Sequence, residues 1–141
     1  MANQPASSAE LPLLKPKGTP MHTISAHDLP IVLQDGEFEL RMREEGDMIV
    51  NFVKIPAGAD FAEPFAQLEG GRCQCPHYGY VLKGRIYTDS EAGRQTYDAG
   101  DVFYWAPGHV PGAIDDSEYV DFAPKAEFLE LIDGVRKAMG G

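Results

Sequence analysis

Cysteine is scarce in this chain of 141 residues, which contains only Cys73 and Cys75. Two cysteines cannot build the disulfide framework of a small secreted protein. A bridge between these two within one strand would also strain the Cα spacing that disulfides prefer. Free thiols are typical of a reducing compartment, where they often serve as metal ligands. We therefore expect a cytoplasmic protein in which both thiols are reduced.

Long apolar runs and an excess of basic residues are also missing from the sequence. No stretch approaches the ~20 apolar residues that span a bilayer, and the first eight residues lack the layout of a signal peptide. The chain has 12 Lys and Arg against 22 Asp and Glu, a formal net charge of −10 at pH 7. Because an anionic surface repels phosphate groups, we expect neither nucleic acid nor a membrane as a partner.

Helical periodicity is confined to the C-terminal end, and most of the chain alternates as β-strands do. Apolar residues recur every three or four positions after Pro124, which predicts an amphipathic helix over about 125–139. Residues 1–36 are rich in proline and predict an extended arm. We expect one domain with this arm, an all-β unit over 37–124 and a helical end over 125–141. Short alternating runs that end at Gly or Pro turns predict strands at 38–42, 47–55, 78–82, 85–88, 94–97, 102–105 and 118–122.

Ligand-type side chains alternate along one short stretch, Cys73-Gln74-Cys75-Pro76-His77. In an extended strand, side chains two residues apart point to the same face. Two thiols and an imidazole would then converge on one side of a sheet, which favours a metal site or a reactive thiol pair. The alternative is structural, since free cysteine often packs as a small apolar residue and a single histidine can simply bond a turn.

Two segments together resemble the motifs of the cupin family. Residues 73–84 end in Tyr-Val-Leu-Lys-Gly and are similar to the first motif, in which a His-x-His pair precedes a Glu seven residues before a closing glycine. Residues 100–109 read Gly-Asp-Val-Phe-Tyr-Trp-Ala-Pro-Gly-His and resemble the second motif, in which a strand leads through a Pro/Gly turn to a His. The resemblance covers about 45–123 and implies a double-stranded β-helix, or jelly roll, closed as a barrel. The arm and the C-terminal α-helix would be added to it.

Matched position by position, the resemblance implies metal ligands at Cys73, Cys75, His77 and His109. His77 takes the place of the Glu, and the cysteines match the His-x-His pair if the preceding loop is shortened. A Cys2His2 set favours zinc over iron, manganese or nickel. Four protein ligands would close a structural site, whereas three ligands and a water would form a catalytic one. Both arrangements are consistent with these residues.

Aromatic residues are concentrated between 78 and 105, and we expect Tyr80, Tyr104 and Trp105 to line a pocket while most of the others pack in the core. His22 and His27, in the arm, are expected to be solvated. The resemblance implies a homodimer and a metal-binding cupin that takes a small-molecule ligand. Such a protein would be an enzyme acting on a small polar metabolite, a non-enzymatic binding or sensing module, or a barrel stapled by structural zinc.

Overall fold

Two antiparallel sheets and one helix make up the chain in the computed structural model, which describes residues 20–140. The large sheet has the strand order β1-β2-β3-β9-β4-β7, and the small sheet has the order β6-β5-β8. The sheets face each other as a jelly roll that is not closed into a barrel. The elements are β1 (Ile31–Asp35), β2 (Phe38–Glu45), β3 (Met48–Ile55), β4 (His77–Lys83), β5 (Arg85–Ser90), β6 (Gly93–Asp98), β7 (Val102–Trp105), β8 (Val110–Ala113), β9 (Ser117–Pro124) and α1 (Lys125–Ala138).

The all-β jelly roll with a C-terminal helix is confirmed, and two strands were missed. β1 lies inside the stretch predicted as an arm and forms the edge of the large sheet beside β2. β8 reads Val-Pro-Gly-Ala, which is a poor strand sequence, but it lies at the edge of the small sheet, where proline is tolerated. Residues 1–19 of the predicted arm lie outside the described part of the chain. No helix within 20–140 combines the length and hydropathy needed to cross a membrane.

Alternation along β4 and β9 decides which side chains enter the interior. In β4, His77, Gly79 and Val81 are buried while the residues between them are exposed. β9 pairs with β4 and buries Tyr119 and Asp121 in the same way. A histidine and an aspartate therefore face inward from neighbouring strands.

The helix α1 covers one side of the interior. It begins directly after β9, and it buries Phe128, Ile132 and Val135 in the core. These residues lie at the three- and four-residue steps that the sequence predicted, so their burial against the sheets holds the helix in place. The ring centroid of Phe128 lies 5.7 Å from that of His77, which brings α1 next to the inward-facing polar residues.

Gly79, at the centre of β4, leaves room for the ring of Phe103. A Cβ at this position would overlap that ring and the backbone oxygen of Val120. We expect Gly79→Ala to lower the free energy of unfolding by about 2 kcal/mol, because overpacking forces neighbouring groups out of place. Urea unfolding measures the change.

The matched control for this substitution is Gly134→Ala in α1. There the added methyl would meet only the end of the Leu68 side chain, and alanine favours the helix by up to about 1 kcal/mol. We expect stability to stay within about 1 kcal/mol of the wild type. Equal losses in the two variants would contradict the role assigned to Gly79.

Candidate metal site

Three ligand-type side chains from different parts of the chain meet in the interior. The sulfur of Cys73 and ring nitrogens of His77 and His109 lie within 4.8 Å of one another, and all three residues are buried. Within residues 20–140, this is the one group of three or more His, Cys, Asp or Glu side chains close enough to share a metal ion.

A short backbone bridge places two of these residues side by side. The N–H of Cys73 donates to the carbonyl of His109 (2.8 Å), and the N–H of Gly108 donates to the carbonyl of Cys73 (2.7 Å). Gly108 has φ of +99°, a conformation that favours glycine. The Pro-Gly turn before His109 is therefore what allows the chain to return alongside Cys73. His77 joins them as the first residue of β4.

Hydrogen bonding and charge orient both imidazole rings. His109 Nδ1 donates to the carbonyl of Ala106 (2.6 Å), which leaves Nε2 free to bind. His77 Nδ1 lies 3.3 Å from Asp121 Oδ2, while its Nε2 lies 3.6 Å from Cys73 Sγ. Asn51 Nδ2 in turn donates to Asp121 Oδ1 (2.7 Å). A partner on Nδ1 that fixes the tautomer is the usual arrangement around a metal-binding histidine.

Asp121 and Asn51 were missed in the sequence. Both are almost fully buried, with 2% and 0% of their surface exposed, and they face each other across β3 and β9. A polar residue at an inward position of an apolar strand was the available signal, because such a residue needs a partner. The partner itself is 70 positions away, which the local pattern does not reveal.

One distance in the group matches that between two ligands of a tetrahedral metal ion. Ligands about 2.3 Å (sulfur) and 2.0 Å (nitrogen) from a tetrahedral ion lie roughly 3.5 Å apart. The Cys73 Sγ to His77 Nε2 distance is 3.6 Å. One thiolate and two imidazoles are also ligands that zinc accepts readily. Cys73 and His77 could therefore share a metal ion without rearrangement.

Electrostatics favour a charged thiolate and imidazolium when no metal is bound. Burial raises the pKa of Cys73, but hydrogen bonds with His109 and His77 outweigh burial and lower this pKa to about 6. Burial lowers the pKa of His77, but the charge of Asp121 and the bond to Cys73 outweigh it and raise this pKa well above its ordinary value. The buried charges thus stabilise one another.

Cys75, the fourth predicted ligand, does not join the group. Its thiol donates to the carbonyl of Pro76 (3.6 Å), and it lies in a groove that Glu127 of α1 also lines. Burial and the nearby charge of Cys73 raise the pKa of Cys75. The strand alternation fails here because β4 begins only at His77, and the segment before it contains a proline, which has no N–H for a regular ladder.

The predicted pocket aromatics divide between the two faces of the large sheet. Tyr80 and Tyr104 are 41% and 50% exposed on its outer face, away from the site. Trp105 is buried, and its ring centroid lies 5.6 Å from that of His77 and 5.3 Å from that of His109. His22 and His27 are exposed and do not contribute to the site.

Comparison with known proteins finds similar structures but no similar sequence. No family model matches the chain, and no curated protein is similar to it in sequence. An RmlC-like cupin from Shewanella frigidimarina is similar with a TM-score of 0.55 at 13% identity, over 74% of this chain and 91% of that chain. KdgF from Halomonas sp. gives 0.53 at 20% identity, over 74% and 94%. Ectoine synthase from P. lautus gives 0.55 at 11% identity, over 74% and 78%. At these identities the similarity concerns the fold.

In the metal-free protein we expect one thiolate per chain at neutral pH. A thiol is protonated below its pKa, so the thiolate of Cys73 should be lost as the pH falls through about 6. The ultraviolet absorbance of the thiolate follows this titration. Cys73→Ser should remove the signal, whereas Cys75→Ser should leave it unchanged. A titration near the ordinary cysteine value of about 8.5 would contradict the predicted contact with the histidines.

Proposed function

We propose that this chain, which has the cupin fold, binds one divalent metal ion through Cys73, His77 and His109. The observation that supports the proposal most directly is the convergence of their three ligand atoms within 4.8 Å in a buried position. The thiolate and imidazole ligands favour zinc over iron, manganese or nickel. Asp121 and Asn51 would hold the His77 ring with Nε2 turned toward the ion.

Three protein ligands are more typical of a catalytic or ligand-binding metal site than of a structural one. Structural zinc sites are closed by four protein ligands, whereas three leave a position for water or a small molecule. With Cys75 turned away, the proposed site has that open position. A zinc ion held in this way lowers the pKa of bound water to about 7 and polarises carbonyl groups. We propose that the function is to bind a small molecule at this open position. If the protein is an enzyme, it would act on that bound molecule.

The surrounding side chains would keep bulk water away from the site. Trp105 and Phe128 are 3% and 2% exposed, and their rings lie against His77. In a site with little water, electrostatic interactions with a bound molecule are stronger. The same enclosure protects Cys73. A metal site that uses Cys73 needs this thiol to stay reduced. This need supports a reducing compartment, which we propose is the cytoplasm.

Metal analysis of the purified protein tests the proposal. We expect about one zinc ion per chain in protein prepared without chelator, and loss of this metal in Cys73→Ala and His109→Ala. Each change removes one of only three ligands. Loss of a residue that only supports a ligand already lowers metal affinity about tenfold or more, so loss of a ligand itself should lower it by at least tenfold. Elemental analysis and competition with a chromophoric chelator give stoichiometry and affinity.

Cys75→Ala is the matched control, because it removes the same kind of side chain two residues away. We expect this variant to keep the metal. Wild-type protein without stoichiometric metal would refute the proposal. Equal losses in Cys73→Ala and Cys75→Ala would instead favour the four-ligand staple.

We further propose that the chain forms a homodimer through the outer face of the large sheet. Strand pairing sets Tyr78 beside Tyr104 and Phe122, and Tyr80 beside Val102. These residues are 41–77% exposed, and with Leu82 they leave roughly 500 Å² of apolar surface uncovered, given the 150–250 Å² that an aromatic residue can bury. That area approaches the half-interface of a small but stable dimer.

We expect Tyr80→Glu to weaken self-association by at least tenfold, because a carboxylate would be buried without a partner at the centre of the patch. Sedimentation velocity over a range of concentrations measures the effect. Gln95→Glu, on the exposed strand β6, introduces the same charge elsewhere and should leave association unchanged. A monomeric wild type would contradict the proposed dimer.

A further inference from the structure

The three ligand-type side chains line a cavity of about 40 Å³. The apolar part of its lining comes from β1, β2, β3, β8, α1 and the segment between β3 and β4. Its residues include Leu33, Leu40, Phe61, Phe65, Leu131 and Val135. Since Cys73, His77 and His109 line this cavity, a molecule bound to the proposed metal would extend into it.

The polar residues that line this cavity are few, and most are already engaged. Cys73, His77 and His109 would bind the metal, and Asp121 is held by His77 and Asn51. Apart from these, the polar groups are confined to Tyr119 and Trp105, whose rings lie 5.4 Å apart on the ligand side. Among the described residues that line the cavity, none is a lysine, arginine, serine, threonine, asparagine or glutamine.

We infer that the molecule bound at this site has a single metal-binding head and a short, uncharged, apolar body. A molecule with several hydroxyl or carboxylate groups would bury most of them without partners, because only Trp105 and Tyr119 offer polar groups that are not already engaged. Each group without a partner would cost about tenfold in affinity. This inference rests on the proposed metal site and names the class of its ligand. It differs from the small polar metabolite that the sequence suggested.

The size of the cavity limits the length of the apolar body. A volume of about 40 Å³ holds only a few water molecules, so a body of a few carbon atoms fills it. Within that limit each buried methylene should raise affinity by about fourfold. A longer chain would have to displace α1 or the two phenylalanines of the intervening segment, or extend out of the cavity into solvent, so the gain should stop.

Titration of the cobalt-loaded protein with simple thiols tests the inference. Cobalt replaces zinc as a coloured ion, and its visible absorbance changes when a thiol binds. We expect affinity to rise about fourfold per methylene from ethanethiol to butanethiol and to level off by hexanethiol. Propanethiol should bind about tenfold more tightly than mercaptoethanol, which has the same length but ends in a hydroxyl.

Substitutions in α1 test the role of the cavity separately from that of the metal site. Val135→Phe should fill the space and abolish propanethiol binding while cobalt remains bound. Leu131→Phe, at a half-buried position, is the second variant if the first does not fold. Leu129→Phe makes the same kind of change on the exposed side of the helix, where 36% of the side chain is uncovered, and should leave thiol binding unchanged.

The outcomes distinguish this inference from the proposal beneath it. If cobalt binds but mercaptoethanol matches propanethiol, or affinity does not grow with chain length, the apolar ligand class is wrong and the metal site stands. Unchanged thiol binding in both Val135→Phe and Leu131→Phe would likewise overturn the inference. If no cobalt binds, the proposed function and the inference fail together.

Discussion

The site depends on one short piece of backbone pairing, the bridge between Cys73 and His109. Two backbone hydrogen bonds of 2.7 and 2.8 Å hold these segments together. Cys73 and His109 lie outside the strand ladder in which His77 pairs with Trp105. Without this bridge, the thiol would lie on a free loop and the imidazole on a turn. The pairing restricts the backbone at both residues in advance, so less conformational entropy would be lost when a metal ion binds.

A second constraint is the buried polar line from Asn51 through Asp121 to His77. Each of these groups would be costly in an apolar interior by itself. Asn51 donates a hydrogen bond to Asp121, and the Asp121 carboxylate lies 3.3 Å from the His77 ring as its charge partner. The carboxylate raises the pKa of His77, and the imidazolium in turn helps to lower the pKa of Cys73. The imidazolium of His77 thus lies between two anions, Asp121 and the Cys73 thiolate, which makes a buried thiolate possible.

The helix serves the core and the site with the same residues. Phe128, Ile132 and Val135 stabilise the sandwich by burial, and they also form part of the cavity wall. The class of ligand that we infer is therefore linked to the packing that holds the fold together. A change that enlarges the cavity removes core contacts as well, so it would alter stability together with any ligand preference.

The sequence by itself determined the strand alternation of β4, the amphipathic period of α1 and the turns that bound the two motifs, because these patterns depend on residues close together in the chain. It also identified Cys73, Cys75, His77 and His109 as ligand types. Only the tertiary structure decided that Cys73, rather than Cys75, faces His77, because the segment before β4 is irregular and its direction is set by the pairing with His109. The same holds for Asp121, since contacts between distant strands follow from sheet register, which no local period specifies.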